Sequence, residues 1–178
     1  MKRIIVMTCG LLFFFCSHGQ ITKSNWLVGG SASFNSLNME SPSGEGTVRQ
    51  LRVEPNIGYF FADKVAGGLR GYLNYEKSSS GSNSASNTSF GFGPFARYYF
   101  LPVTNQGNIF LDAAYKFYFN NPGDDNAKGY AIKAGSVLFF NTSVGLEFSV
   151  GYSFVKRESD IKYKEVIVGI GFQIHLEK

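Results

Sequence analysis

The sequence predicts an all-β protein, an eight-stranded antiparallel up-and-down transmembrane β-barrel that follows a cleaved signal peptide. Three observations support this prediction: an N-terminal export signal, long runs in which large apolar residues alternate with small or polar ones, and ten charged residues that share one face of those runs. Charged residues make up 17% of the chain, and Gly, Phe and Tyr account for 49 of its 178 residues. This composition is typical of strands and turns, not of a helical bundle.

The N-terminus has the organisation of an export signal. Two basic residues come first, an apolar stretch over residues 4–15 follows, and Ser17 and Gly19 stand at the spacing that a signal peptidase favours. The apolar stretch is shorter than the roughly 20 residues that a membrane-spanning helix requires. We therefore predict a signal peptide over residues 1–19 and a barrel domain over residues 20–178, exported to a bacterial outer membrane.

The positions of the cysteines and the net charge exclude several classes of site and partner. Both cysteines, Cys9 and Cys16, lie in the predicted signal peptide, so disulfides and thiolate metal sites are excluded from the mature chain. The bulky Phe15 argues against a lipoprotein anchor on Cys16. Without Lys2 and Arg3 the chain has 15 basic and 13 acidic residues, a net charge of +2, which is too small to predict nucleic acid as a partner. No cofactor is predicted.

Eight runs after residue 20 show the alternation of β-strands. Each is longer than the five or six residues typical of soluble strands, and most approach or pass the roughly nine to eleven residues with which a tilted strand crosses a bilayer. The runs cover residues 24–36, 47–60, 64–78, 88–100, 108–120, 128–140, 143–153 and 163–176.

The predicted connections alternate between long polar segments and short turns. Long loops on one rim, with short turns and both termini on the periplasmic rim, are typical of outer-membrane barrels. The long connections are residues 37–46, 79–87, 121–127 and 154–162, and the short ones lie near residue 62 and at residues 102–107 and 141–142.

The alternation predicts one apolar face without charge and an opposite face that carries five basic and five acidic residues. An isolated charge facing hydrocarbon costs about 2 to 4 kcal/mol near the bilayer midplane, so we predict that these ten residues point into the lumen. Their equal numbers would allow each charge to be paired. The predicted lumen charge network consists of Arg52, Glu54, Arg70, Glu76, Arg97, Asp112, Lys116, Lys133, Glu147 and Glu165.

Alternation alone leaves open which face is inside, because a soluble lipocalin-like barrel has an apolar lumen and a polar exterior. The apolar face of this chain is too bulky to fit inside eight strands, whereas the other face is rich in glycine, which suits a crowded interior. These glycines are Gly29, Gly58, Gly68, Gly91, Gly93, Gly135, Gly145, Gly151, Gly169 and Gly171.

Aromatic residues are expected in two girdles at the membrane interfaces. The periplasmic girdle is predicted to contain Trp26, Tyr59, Phe60, Tyr98, Phe100 and Phe140, and the outer girdle Phe34, Tyr75, Phe90, Phe119, Tyr130 and Tyr152. Pro55 and Pro94 fall inside predicted strands, where each removes a hydrogen-bond donor from the ladder. We expect a local bulge at each proline.

Three segments carry a resemblance to a known family: residues 55–60 (Pro-Asn-Ile-Gly-Tyr-Phe), 63–69 (Asp-Lys-Val-Ala-Gly-Gly-Leu) and 93–100 (Gly-Pro-Phe-Ala-Arg-Tyr-Tyr-Phe). From residue 20 onward the chain resembles the outer membrane protein beta-barrel domain family, related in architecture to small OmpA-type and OmpX-type barrels. The resemblance implies a fold and says little about function. It also implies insertion by the barrel-assembly machinery, which usually recognises a final strand that ends in an aromatic residue. Leu176 occupies that position here.

Three functions remain open from the sequence. The preferred function is that of a non-enzymatic structural or surface-interaction barrel. Such a barrel would be a monomer in contact with outer-membrane lipid, and its loops would offer a surface to an unidentified extracellular partner. A narrow pore or a carrier of small apolar molecules is the alternative, and a lipid-modifying enzyme is third. Acyl chemistry usually needs a His near a Ser, but the one histidine left after processing, His175, is predicted at the periplasmic rim. Asp112 and Glu147 are candidates for an acid and a base, but pairing in the lumen explains them more simply. Asp124 and Asp125 form a weak candidate for a divalent cation.

Overall fold

The structure is a computed structural model that describes residues 21–41, 44–80, 83–119, 126–157 and 162–176. The described residues form eight strands in one closed sheet, in which each strand pairs antiparallel with its sequence neighbours and β1 pairs with β8. The strands are β1 Trp26–Ser41, β2 Gly44–Ala62, β3 Val65–Ser80, β4 Asn83–Tyr99, β5 Gly107–Phe119, β6 Ala127–Phe139, β7 Val144–Arg157 and β8 Lys162–Leu176. The predicted signal peptide lies outside the described residues.

The large apolar side chains of the strands face outward. Our expectation that this face carries no charge was wrong at the ends of the runs, where Arg49, Lys77, Lys128 and Lys164 also face outward. Burial alternates from residue to residue along β6 and β8, as the period of two in the sequence predicts. Leu69, Ile132 and Val166 are examples of the outward set and are 57%, 53% and 71% exposed. A soluble barrel with an apolar lumen would require the opposite arrangement. No helix in the described part of the chain is long and apolar enough to span a membrane.

Glycine allows close contact between strands at several inward positions. A Cβ atom on Gly93 would lie 1.8 Å from the carbonyl oxygen of Tyr115, and one on Gly68 would lie 2.1 Å from that of Ile57. Neither position can accept a side chain without displacing backbone. The glycines of the inward face therefore allow the strands to close into a narrow barrel.

Three of the four predicted long loops are mostly strand. Strand β1 pairs with β2 as far as Ser41 and Gly44, and β3 pairs with β4 as far as Ser80 and Asn83. Strands β7 and β8 likewise extend into the predicted 154–162 loop. The backbone ladder needs no apolar side chains, so Ser- and Asn-rich segments can continue the strands. Residues 121–125 of the remaining loop, 121–127, lie outside the described residues.

Pro55 and Pro94 do not produce the bulges that we expected. The pairing of β2 with β3 is interrupted at Pro55 and that of β4 with β5 at Pro94, and both ladders resume in the same register. A Cβ on Gly71, across from Pro55, would lie 3.2 Å from the proline Cγ, so the glycine gives the ring room. The register shift in the β2–β3 ladder lies instead between Phe60 and Ala62.

The two ends of the barrel differ. The turn end holds the short connections 63–64, 100–106 and 140–143, whereas the hairpin end holds the connections beyond the long strands. At the turn end the N-terminal segment folds across the opening: the Lys64 amide donates to the Ile21 carbonyl at 2.8 Å, and the Ser24 amide donates to the Phe60 carbonyl at 2.9 Å. This segment helps to close the turn end.

A cluster of buried apolar side chains fills the lumen near the turn end, and we call it the apolar plug. Phe60 belongs to it and is fully buried, so its assignment to the periplasmic girdle was wrong. Even-numbered residues of β2 face inward, and Phe61 is the aromatic that faces outward there. The plug consists of Ile21, Leu27, Phe60, Ala66, Phe95, Tyr99, Phe110, Ala114, Val137 and Phe139.

Candidate functional site

The candidate site is the polar part of the lumen, which lies between the apolar plug and the hairpin end. Nine of the ten charged residues proposed for the lumen take part in ion pairs there. They form two networks, one on the plug and one nearer the hairpin end, and a further pair at the opening. The tenth residue, Glu76, is exposed at the hairpin end.

The first network is centred on Asp112, and we call it the aspartate network. Arg70 on β3 makes a bidentate contact with Asp112 on β5, in which Nη1 and Nη2 each donate to a carboxylate oxygen at 2.7 Å. Arg97 on β4 donates from Nε to the same carboxylate at 2.9 Å. Asp112 is only 1% exposed, so two guanidinium groups neutralise a carboxylate that bulk water does not reach.

Arg97 extends this network across the lumen. Its Nη1 donates to Glu147 on β7 and also to the Tyr99 hydroxyl at 3.3 Å. Gln173 on β8 donates from Nε2 to the other oxygen of Glu147 at 3.3 Å. Side chains from five strands are therefore linked at one level of the barrel.

The two arginines also pack on aromatic rings of the apolar plug. The guanidinium carbon of Arg97 lies 4.2 Å from the ring centre of Phe110, and that of Arg70 lies 4.6 Å from the ring centre of Phe95. Such cation–π contacts add to the ion pairs where water is excluded. The aspartate network and the apolar plug consequently form one continuous block.

The second network is centred on Glu54 of β2, and we call it the glutamate network. Lys133 on β6 donates to one oxygen of Glu54, and the ammonium group of Lys116 on β5 lies 4.0 Å from the other. Lys116 also donates to the Ser153 hydroxyl at 3.2 Å and lies 4.9 Å from the ring centre of Tyr72. Two buried lysines therefore share one carboxylate.

A polar vestibule lies between the glutamate network and the hairpin end. Arg52 and Glu165 form an ion pair of 3.0 Å at its base, and the Glu165 side chain is 37% exposed. The vestibule has a volume of about 170 Å³ and is also lined by Tyr118 and Glu76. Within the described part of the chain no ion pair joins Glu76, contrary to our expectation that it is enclosed and paired. It lies beyond the enclosed section, where water can solvate it.

The exposure of Glu76 changes the charge balance of the lumen. The ion-paired residues comprise five cations and four carboxylates. The excess falls on the glutamate network, where Lys116 and Lys133 share Glu54. Removing one partner of a buried pair typically costs about 3–5 kcal/mol, so these contacts are strongly coupled to stability.

The residues considered for catalysis are held by packing or by ion pairs inside the barrel. His175 is fully buried at the turn end, and its ring centre lies 5.2 to 6.2 Å from those of Phe60, Tyr99 and Phe139. Asp112 and Glu147 are bound by arginines. The described residues contain no group of three or more His, Cys, Asp or Glu arranged to hold a metal ion. Asp124 and Asp125 lie outside the described residues.

Comparison with known proteins identifies a likeness in fold. No family model and no curated protein matches the chain. Among solved structures, the chain is similar to the crystal structure of the outer membrane protein OprG from Pseudomonas aeruginosa, with a TM-score of 0.55 and 15% identity over 91% of this chain and 100% of that chain. The fold is that of an outer-membrane β-barrel. The predicted fold class, a closed barrel of eight antiparallel strands, is thereby confirmed.

Several uncharged members of the barrel's lumen were missed from the sequence. Tyr72, Tyr99, Ser153 and Gln173 are buried and contact the charged residues. Their parity places them on the inward face, so it could have identified them as lumen residues. It could not have shown which charged residue each one contacts, because that depends on barrel closure.

Proposed function

We propose that the chain is an integral outer-membrane barrel with a structural or surface-interaction role, without conductance and without catalysis. Its hairpin end would face the outside and its turn end the periplasm. The observation that carries the membrane assignment is the outward face, on which large apolar side chains such as Leu69 and Val166 are exposed along the strands. Outward-facing apolar residues in a closed barrel require a hydrocarbon environment.

The filled lumen supports a role other than transport. An eight-stranded barrel has an interior just wide enough for side chains. Here the apolar plug, the aspartate network and the glutamate network occupy successive levels between the turn end and the vestibule. A continuous path for ions would require buried ion pairs to separate, which is costly in an enclosed lumen.

The proposed location in an outer membrane indicates which partners the chain would contact. Outer-membrane lipid would surround the apolar face, and the barrel-assembly machinery would insert the chain as a monomer. The polar strands at the hairpin end would project beyond the lipid and could meet an extracellular partner.

The test combines folding and conductance. Residues 20–178 are refolded in detergent, and boiled and unboiled samples are compared by gel electrophoresis and circular dichroism. The refolded protein is then added to planar bilayers, with a known pore as the positive control. We expect a heat-modifiable band, a β spectrum and no channel events. Discrete channel events would support the pore alternative. A monomer that is soluble without detergent would overturn the membrane assignment and favour an apolar-ligand carrier.

A further inference from the structure

Two buried polar atoms of the vestibule have no hydrogen-bond partner among the residues that the structure describes, namely Nε of Arg52 and Oδ1 of Asn74. The Arg52 side chain is 9% exposed, and its ion pair with Glu165 is made by Nη2. Arg52 on β2 and Asn74 on β3 are directly opposite in the ladder, and both line the vestibule. Opposite residues have Cβ atoms about 5 Å apart, so an unsatisfied donor lies beside an unsatisfied acceptor.

A hydroxyl group complements this donor and acceptor. Because a hydroxyl both accepts and donates, a single one would accept from Arg52 Nε and donate to Asn74 Oδ1. A carboxylate only accepts and an ammonium group only donates, so either would leave one of the two atoms unsatisfied. Unsatisfied polar atoms are unfavourable when they are buried. The pair therefore favours a ligand that carries hydroxyl groups.

The described charges of the vestibule do not select a charged ligand. Arg52 is paired with Glu165, the guanidinium carbon of Arg157 lies 5.5 Å from the ring centre of Tyr163, and Glu76 is exposed. The lining therefore contributes two cations and two carboxylates. Acidic residues in the connections of the hairpin end would disfavour an anion, but they would have little effect on a neutral ligand. A neutral ligand is consequently favoured.

Two tyrosines give the vestibule apolar surface. Tyr118 on β5 has its ring centre 5.7 Å from that of Tyr72, and Tyr163 on β8 is 46% exposed. Both line the vestibule, together with the polar side chains of Gln50 and Ser89. A sugar ring presents C–H groups on its faces and hydroxyls around its edge. Aromatic rings and hydrogen-bonding side chains in one pocket match both parts of such a ring.

The volume of the vestibule suits one sugar ring. Pockets for drug-sized ligands are roughly 300 to 1,000 Å³, whereas the vestibule is about 170 Å³. An adjoining cavity of about 210 Å³ shares the Arg52–Glu165 pair with it and is also lined by Ser33 and Asn35. This cavity lies between β1 and β8, beyond the end of their ladder at Ala32. Two adjoining polar cavities favour a ligand of two linked sugar rings.

We propose that the vestibule binds a neutral saccharide, with a hydroxyl of one sugar ring between Arg52 Nε and Asn74 Oδ1 and a second ring in the adjoining cavity. The first ring lies against Tyr118 and Tyr163. This inference rests on the proposed function, because a saccharide outside the cell reaches the vestibule through the hairpin end. It gives the surface-interaction role a chemical class of partner.

The test measures saccharide binding to residues 20–178 refolded in lauryldimethylamine oxide, a detergent without a sugar headgroup. The probes are the methyl glycosides of glucose, mannose and galactose and the disaccharides maltose, mannobiose and lactose. Binding is detected by saturation-transfer NMR, and titration gives each Kd. We expect at least one glycoside to bind and its disaccharide to bind more tightly. The corresponding uronic acid and amino sugar should bind more weakly than the neutral sugar.

Two variants test the position of the hydroxyl. Asn74→Ala removes the acceptor, and Asn87→Ala is the matched control, since Asn87 is exposed on β4 outside the lining of the vestibule. The best saccharide should bind Asn74→Ala about five- to tenfold more weakly than wild type, as expected for one hydrogen bond, and should bind the control as tightly as wild type. One monodeoxy analogue should bind wild type with the same loss, and the two losses should not add.

The outcomes separate this inference from the proposed function. A wild-type barrel that is heat-modifiable but binds none of the probes overturns the saccharide site alone, as does an equal loss of affinity in Asn74→Ala and Asn87→Ala. Tighter binding of the uronic acid or the amino sugar overturns the neutral ligand. A wild-type chain that is soluble without detergent overturns the proposed function, on which this inference rests.

A second pair of variants applies if Asn74→Ala gives no heat-modifiable band. Tyr163→Ala is then compared with Tyr75→Ala, since both tyrosines are partly exposed but Tyr75 lies on the outer surface. The same titration should show weaker binding for Tyr163→Ala alone. Equal affinities of these two variants would overturn the saccharide site.

Discussion

Arg70 and Asp112 are joined by two parallel hydrogen bonds of 2.7 Å inside the barrel, and Asp112 receives a third from Arg97 at 2.9 Å. Three strands are therefore held together by a single carboxylate. Because all three side chains are buried, each charge is compensated by its partners and not by water.

Asp112→Asn should destabilise the barrel by about 3–5 kcal/mol, because it leaves the buried guanidinium groups of Arg70 and Arg97 without their shared carboxylate. The free energy of unfolding in urea, followed by loss of the heat-modifiable band, measures the effect. Glu76→Gln is the control, since Glu76 is exposed and unpaired within the described residues. Equal stability of the two variants would contradict the proposed importance of the aspartate network.

Lys133→Met should destabilise the barrel more than Lys116→Met. Lys133 donates directly to Glu54, whereas Lys116 lies 4.0 Å from it and is the excess cation of the glutamate network. Removal of Lys116 leaves Glu54 with its direct partner, and removal of Lys133 does not. Urea unfolding of both variants in the same detergent makes the comparison. The reverse order would contradict this prediction, and it would show that the contacts of Lys116 with Ser153 and Tyr72 contribute more to stability than the ion pair of Lys133 with Glu54.

Gly93→Ala should prevent normal folding, because its Cβ would lie 1.8 Å from the Tyr115 carbonyl oxygen. Gly107→Ala is the matched control on the neighbouring strand, where the nearest atom to an added Cβ is the Val137 carbonyl oxygen at an ordinary 3.6 Å. The heat-modifiable fraction after refolding is the measurement. A normal yield for Gly93→Ala would mean that β4 and β5 are farther apart than described.

Phe60→Ala should cost about 3–5 kcal/mol, because it opens a cavity in the apolar plug. Phe61→Ala should cost clearly less, since Phe61 faces outward and is 61% exposed. Urea unfolding of the two variants compares neighbouring aromatics on opposite faces. A larger loss for Phe61→Ala would contradict the inward position of Phe60.

The alternation of residues along the chain was sufficient to predict the barrel and the faces of its strands, because side chains alternate with a strict period of two. It could not predict lumen contacts: Arg97 and Glu147 are 50 positions apart and meet only after closure. Polarity was a poor guide to strand ends, since residues 37–41, 44–46, 79–80 and 83–87 continue the ladders with few apolar side chains. The sequence pattern also did not predict that Pro55 fits into the sheet without a bulge, because this depends on the residue across the sheet, Gly71.

The most direct test of the membrane barrel asks which face contacts lipid. Residues 20–178 contain no cysteine, so single cysteines can be introduced and labelled with a fluorophore in phospholipid vesicles. We predict that brominated lipid quenches a label at Leu69→Cys and at Val150→Cys, but not at Asn74→Cys, which lines the vestibule and should react with a water-soluble thiol reagent. Quenching at Asn74→Cys together with aqueous modification at Leu69→Cys would contradict the account.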